Sequence, residues 1–408
     1  EHFRLNTKGI SAGNIKVCHY CKDYFDNRNT YLKKVLERAE RKLIVAGPGT
    51  GKTHAFKEII EEALKESVPG SKIIVLTLIN NLADDLKKEL SKFGESVKVS
   101  TFHGYCAGVL HSGISSLKSG FEYYPYLPIL IEDDAKVTGK SYSVDDFKKH
   151  FANIKDGEII QFYLAQGEYY RAVSHNDSVY RVYKFFDDNP ESIPKYEVVI
   201  ADEYQDFNLL EASLIDQLGK RNSLLLAGDD DQSLYGFRYA SNRFIREKYY
   251  DDNDFRKLKL PFCSRCTPSI VEVTNYFVEK ITEGGGLSGR IPRQYKSYWP
   301  DKYKDQNRFP LINVDHCSTA KTVEAHIKSQ IESLVASEQM TGEESDIQFL
   351  IIGPTSMFEI KNIHDYLKLN LDERFSIEML KKEEESDEIA NAYKLLRQDQ
   401  DSNLAWRI

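Results

Sequence analysis

No apolar run in the 408-residue chain approaches the roughly 18 to 20 residues of a membrane-spanning helix. The longest, such as KIIVLTLI, has the length of a strand, so no membrane partner is expected. Cysteine is scarce too: six residues over this length make no dense disulfide framework, which fits a reducing, cytoplasmic setting. There is no basic excess. With a net charge of −8, any nucleic acid would have to be held in a local groove rather than by a global positive field. The opening EHFRLNTKGISAGN is too polar for a secretion signal, and no internal repeat is found. The chain lacks an initiating methionine and stops at NLAWRI inside a helical pattern, so a portion of a longer product is expected.

What is present is an alternation of short β-rich runs with amphipathic helical stretches, the pattern of a parallel sheet with crossover helices. RKLIVA, KIIVLTL, VKVSTF, YEVVIADE and SLLLAGDD read as strands, and HAFKEIIEEALKE and NNLADDLKKELSKF as helices. The rhythm breaks between Gly104 and Lys195, where aromatic-rich stretches such as FYLAQGEYYRAV predict a helical insertion. After about Tyr276 a linker-like passage, EGGGLSGRIPRQYKSYWPDKYKDQNRFP, precedes a second unit with strands LINVDH and IQFLIIG. LKKEEESDEI reads as a solvated helix face.

Four stretches carry chemistry. AGPGTGKT, residues Ala46, Gly47, Pro48, Gly49, Thr50, Gly51, Lys52 and Thr53, follows a strand and opens a helix. Its backbone N–H groups and helix dipole suit phosphates; Lys52 is expected at the β- and γ-phosphates and the Thr53 hydroxyl at Mg²⁺. VVIADEYQDF ends a strand in two acids: Asp202 is expected to hold Mg²⁺ and Glu203 to take the proton of an attacking water. GDDDQSLYGFR puts three carboxylates after a buried strand, which could face a phosphate-bound metal or form a solvated turn. Gln232 is expected at the γ-phosphate or the water, while Tyr235 and Phe237 share a face and either stack on bases or pack in the core. In SRCTPS, Arg265 is expected to stabilise charge on the γ-phosphate as the bond breaks.

In this order, AGPGTGKT, LTLINNLADDLKKEL, STFHGYCAGVL, DEYQD, GDDDQSLYGFR and SRCTPSIVEVTN resemble the UvrD/Rep/PcrA family of superfamily 1 helicases over about residues 30 to 277. The likeness continues more faintly through SDIQFLIIGPTSMFEIKNIHDYLK. The resemblance implies an α/β, RecA-like phosphate-loop domain at 30–103 and 196–277, with a helical insertion at 104–195. It further implies an N-terminal extension at 1–29, the start of a second RecA-like domain at 278–370 and a further helical insertion from 371 to 408. The activity implied is ATP-driven 3′-to-5′ translocation on single-stranded or partly duplex DNA, with ATP and Mg²⁺ as cofactors. Lys52, Glu203, Gln232 and Arg265 take the catalytic roles, and Thr77, Asn80, Phe102, His103, Tyr235 and Phe237 fall where family members touch DNA. Arg238 is expected to link the DNA path to the ATP site.

The sequence departs from the family pattern in three places. No glutamine precedes Gln161, so the family's adenine-reading glutamine is missing; Tyr31 or a backbone group is the expected substitute. Cys263, Ser264, Arg265 and Cys266 stand where asparagine, tyrosine, arginine and serine are usual. The family's late motifs, including its second catalytic arginine, are not found, so these residues alone are expected to form half an ATP cleft. The pairs Cys18/Cys21 and Cys263/Cys266 lack further ligands at zinc-finger spacing and read as reduced pairs, with a zinc site shared by the two pairs as the alternative. Two other functional readings stay open. One is a nucleotide- or DNA-sensing subunit whose protein partner is a nuclease or defence assembly; the other is a phosphate-loop ATPase that does not act on nucleic acid.

Overall fold

The computed structural model describes residues 29–37, 39–78, 83–84, 86–88, 97–111, 121–233, 236–298, 319–336, 349–352, 357–372, 375–379 and 388–408. The chain divides into two units, Glu1–Lys304 with Ala392–Ile408, and Asp305–Asn391.

The first unit is built on a six-stranded, wholly parallel sheet. Its strands are β1 (Arg41–Ala46), β2 (Ile73–Thr77), β3 (Lys98–Thr101), β6 (Val198–Ala201), β7 (Ser223–Gly228) and β8 (Arg256–Leu260), in the order β3-β2-β6-β7-β1-β8. Helices cover both faces, so the central strands are apolar throughout rather than alternating. In β1, Leu43 and Val45 join one buried cluster while Ile44 and Ala46 join the other. That period of two splits a single apolar run between two cores.

β8 has no counterpart among the strands expected from sequence. RKLKL mixes charge with leucine, and the structure uses that pattern at the sheet edge: Leu258 and Leu260 are buried while Arg256, Lys257 and Lys259 are half-buried. Lysines on an edge strand also discourage pairing with another chain.

Between β3 and β6 the chain forms helices Phe102–His111, Leu127–Val137, Val144–Ala152, Glu158–Tyr170 and His175–Asp188. Their aromatic content makes an edge-to-face core: the Tyr163 ring lies 5.0 Å from both Phe147 and Phe151. Ser143 and Ser174 start two of these helices through capping boxes with Asp146 and Asp177. A two-residue parallel pair, β4 (Glu122–Tyr123) with β5 (Ala172–Val173), ties the insertion together. The C-terminal helix Asn403–Arg407 packs on it, with Asn403 Nδ2 donating to the Tyr169 carbonyl at 2.9 Å.

The passage that reads as a linker is in part a built element of this unit. Ile291 is fully buried, and β10 (Lys296–Ser297) pairs in parallel with β9 (Phe262–Cys263). In the second unit the described residues form helices Ala320–Ala336 and Met357–Asn370. The expected strand LINVDH lies outside the described residues, and the described part of IQFLIIG, 349–352, has no regular structure. No helix among the described residues is long and apolar enough to cross a membrane.

Candidate active site at the tips of three strands

β6, β7 and β1 are consecutive in the sheet, and each ends in one of the motifs. Their carboxyl ends are where open α/β sheets bind ligands. Register fixes the alignment: Val45 faces Gly228, and Ala201 faces Leu226.

After Ala46 the phosphate loop turns through Gly49 and Gly51, both left-handed at φ 67° and 95°. It is closed by Thr50, whose Oγ1 donates to the Gly47 carbonyl at 2.8 Å. Gly51 caps helix Lys52–Lys65 without a side-chain hydrogen bond, leaving the first-turn N–H groups available to an anion. Side chains are barred at two glycines. A Cβ on Gly47 would stand 3.1 Å from the Tyr295 ring, and one on Gly49 would stand 2.5 Å from Arg265 Cβ. Arg265 is thus seated on the loop, where the Ser264 N–H donates to the Gly49 carbonyl at 2.9 Å.

Lys52 Nζ lies 2.9 Å from Glu203 Oε2. Burial works against its charge, but Asp202, Glu203 and Asp229 outweigh this and raise its pKa. Glu203 is held in a left-handed conformation, φ 52° and ψ 41°, at the start of the short 3₁₀ turn Tyr204–Asp206. Such strain in a non-glycine residue aims its side chain across the strand tips instead of along the strand.

Asp202 is only 2% exposed, and its Oδ1 accepts the Glu203 N–H at 2.9 Å. Burial first, then the Glu203 charge, pushes its pKa up to about 7. A buried carboxylate of this kind, near the head of the Lys52 helix, fits a divalent cation. Thr53 and Asp202 would hold Mg²⁺, which when bound offsets charge on the phosphate oxygens.

Gln205 was not singled out from the sequence, yet it joins two motifs. Its Nε2 donates to Glu203 Oε2 at 2.9 Å and Asp206 Oδ2 at 3.0 Å, and its Oε1 accepts the Asp229 N–H at 2.9 Å. It is 1% exposed. The signal available was its position within DEYQD, two residues beyond Glu203.

The three carboxylates after β7 lie within 4.8 Å of one another and are each paired with arginine. Asp230 takes Arg246 Nε at 2.9 Å, Asp231 takes Arg290 Nε at 2.9 Å, and Arg293 bonds all three acids. Two of these arginines, Arg290 and Arg293, come from the supposed linker, and Arg246 comes from helix Arg243–Tyr250. Gln232 Nε2 donates to Asp229 Oδ2 at 2.5 Å, and that oxygen lies 3.7 Å from the Cβ position of Gly47. The tip of β7 therefore touches the phosphate loop.

The expected DNA-path residues divide. Thr77 is buried at the tip of β2. Phe102 is fully buried against Phe207, ring centroids 5.4 Å apart, so its ring is part of the core. The His103 ring lies edge-on to His175 at 5.0 Å, and its Nε2 is 3.8 Å from Glu211 Oε1. Burial, then His175 and Arg238, push its pKa down to about 3. Arg238 faces the same Glu211 oxygen at 3.9 Å. Asn80 and Tyr235 lie outside the described residues; Phe237 sits in the short turn Gly236–Arg238.

Tyr31 lines a small cavity beside the loop with Leu32, His54, Leu260, Pro261 and Phe262, and its ring meets Phe262 edge-on at 5.8 Å.

Comparison with known proteins gives the same grouping. A family model described as an AAA domain matches residues 33–238, half of the chain. ATP-dependent DNA helicase UvrD1 of Mycobacterium leprae is 25% identical over 397 residues, covering 80% of this chain and 49% of its own length. ATP-dependent DNA helicase PcrA of Bacillus subtilis is 24% identical over 388 residues, 80% of this chain and 51% of its own. A probable DNA helicase II homolog of Mycoplasma capricolum is 24% identical over 335 residues, 72% and 44% respectively. The chain spans about half the length of the curated relatives it matches. With the motifs in family order on one parallel sheet, the chain belongs to the AAA-domain family and, within it, to the UvrD/PcrA-like group of superfamily 1 helicases.

Proposed function

We propose that this chain carries the ATP-binding half of a motor that couples ATP hydrolysis to 3′-to-5′ movement on single-stranded or partly duplex DNA in the cytoplasm. The observation that carries this reading is the convergence of Lys52, Glu203 and the Asp229–Gln232 pair at three consecutive strand tips.

In this reading the phosphate loop, residues 46–53, wraps the β- and γ-phosphates, and Tyr31 or a backbone group beside the loop meets the base. Lys52 leaves Glu203 for the phosphates. Glu203, so released, takes a proton from the attacking water, and Gln232 orients that water or the γ-phosphate. Arg265 offsets charge on the terminal phosphoryl group. Asn80, Tyr235 and Phe237 meet the DNA, with Thr77 and His103 shaping the path and Arg238 reporting its occupancy to the ATP side.

The test is ATPase activity of the full-length product with and without a single-stranded oligonucleotide, followed by movement assays on tailed duplexes. Stimulation by the oligonucleotide and unwinding from a 3′ tail are expected. ATP turnover indifferent to DNA would leave a phosphate-loop ATPase without a nucleic-acid role.

A further inference from the structure

We propose that Arg293 is a positioning residue that sets the orientation of Gln232 by way of Asp229. This rests on the reading of Gln232 as the group that meets the terminal phosphate or its water.

Arg293 is 5% exposed at its side chain and sits in PRQY, a stretch whose composition suggested a linker. Its Nη2 donates to Asp229 Oδ1 and to Asp231 Oδ2, the latter at 2.5 Å; Nη1 donates to Asp230 Oδ1 at 2.5 Å. The other oxygen of Asp229, Oδ2, accepts Gln232 Nε2. A guanidinium, a carboxylate and a carboxamide therefore form a continuous chain, and its middle member lies against the phosphate loop at Gly47.

The chemistry of the three groups gives the chain a direction. A guanidinium only donates and an ionised carboxylate only accepts, so the Gln232 atom facing Asp229 must be its NH₂ nitrogen. The amide oxygen is left to accept from a water, and the second amide N–H to donate to a phosphate oxygen. Both Asp229 oxygens are engaged, which stops the carboxylate from rotating and carrying the amide with it.

The arginine is itself anchored on both sides. Tyr295 donates its hydroxyl proton to the Pro48 carbonyl at 2.9 Å, and β10 pairs with β9 immediately beyond. Upstream, the Ile291 N–H donates to Asp230 Oδ2 at 3.0 Å. Arg246 and Arg290 bond Asp230 and Asp231; among the described residues Arg293 is the arginine that reaches Asp229.

Discrimination between triphosphate and diphosphate reads this geometry directly. It is the ratio of affinities for a non-hydrolysable ATP analogue and for ADP, measured by displacement of a fluorescent nucleotide from the full-length protein with Mg²⁺. Arg293→Lys keeps the charge but loses the fork, and the ratio should fall about tenfold. Gln232→Ala should lower it to a similar extent. The double variant should be no lower than Gln232→Ala alone, because both changes break one chain. Arg290→Lys, which alters an ion pair on the same acidic triplet without touching Asp229, should leave the ratio unchanged.

If Gln232→Ala leaves the ratio intact, the phosphate-sensing reading falls and this inference falls with it. If Gln232→Ala lowers the ratio but Arg293→Lys does not, the sensing reading stands and the role of Arg293 is overturned. Equal losses in Arg290→Lys, or a further loss in the double variant, overturn it as well. Should Arg293→Lys lack a cooperative melting transition, Asp229→Asn breaks the same chain from its middle. An unchanged ratio there is equally fatal.

Discussion

Lys52 and Glu203, 151 residues apart in the chain, meet in an ion pair of 2.9 Å between the phosphate loop and the tip of β6. Each neutralises the other in this pair, and neither can perform its proposed role until the pair separates. Arrival of the triphosphate supplies the exchange, since phosphate oxygens compete for the lysine.

Glu203→Gln should therefore bind ATP and fail to turn it over. Loss of a general base costs on the order of 10²- to 10⁴-fold in rate. Steady-state hydrolysis and equilibrium nucleotide binding on the same preparation check this, and normal turnover would remove Glu203 from the role of base. Lys52→Ala should abolish turnover while the far-ultraviolet circular dichroism stays native, since the ion pair it breaks is partly solvated.

Gly49→Ala should damage the loop even though it adds one methyl group. The position has φ 67°, and its new carbon would meet Arg265 Cβ at 2.5 Å. Backbone strain of this kind costs on the order of 1–3 kcal/mol. A lowered denaturation midpoint and at least tenfold weaker nucleotide binding are expected. Gly108→Ala is the control, being helical, exposed and with nothing within 4 Å of the added carbon. It should stabilise by about 0.5–1 kcal/mol, and a loss there would discredit the local geometry.

The depressed pKa of His103 predicts an acid-sensitive contribution to stability. Unfolded, the imidazole titrates near its ordinary value of 6.5; folded, it is pushed down to about 3 by burial, His175 and Arg238. Below pH 6.5 the unfolded chain binds a proton that the folded chain refuses. Stability from this site is thus complete above that pH and is lost progressively toward pH 3. Glu211, raised by burial, titrates in the opposite sense, so wild type must be compared with a variant. The melting-temperature advantage of wild type over His103→Asn should shrink between pH 7.5 and 5. A constant gap would mean that His103 takes up its proton equally in the folded and the unfolded chain.

Phe237→Ala addresses the aromatic loop. If this ring stacks on a base, truncation removes about 1–3 kcal/mol of binding to single strands. Oligonucleotide-stimulated hydrolysis should drop several-fold while basal hydrolysis is kept. Equal losses in both would return the ring to a packing role.

The sheet was legible because its central strands are unbroken apolar runs between glycine-rich turns, as in RKLIVAGPGTGKT. The edge strand RKLKL was not, since alternating lysines carry no sign of which neighbour will bury the leucines. Loop chemistry is legible in the motifs, which assign Lys52 and Glu203 to one site. Partnerships made across the fold are not. GDDDQ gives no indication that Arg246, Arg290 and Arg293 will neutralise it, and polar, glycine-rich EGGGLSGRIPRQY hides a tightly bonded piece of the first unit. Phe102 shows the converse limit: a motif position says which loop a residue belongs to, but not whether its ring turns inward.

Gln205 has an asymmetry that restricts what evolution or an engineer can place there. Its carboxamide gives hydrogens to Glu203 and Asp206 at one end and receives one from the Asp229 backbone at the other. Turning it end for end would press oxygen against two carboxylates and a hydrogen against a hydrogen. Glutamate would crowd a third anion into that space, and asparagine would fall one methylene short. The side chain thus works as a keyed strut: it ties the backbone just after Gly228 to the carboxylate of Glu203, a span that needs the reach and the polarity of glutamine.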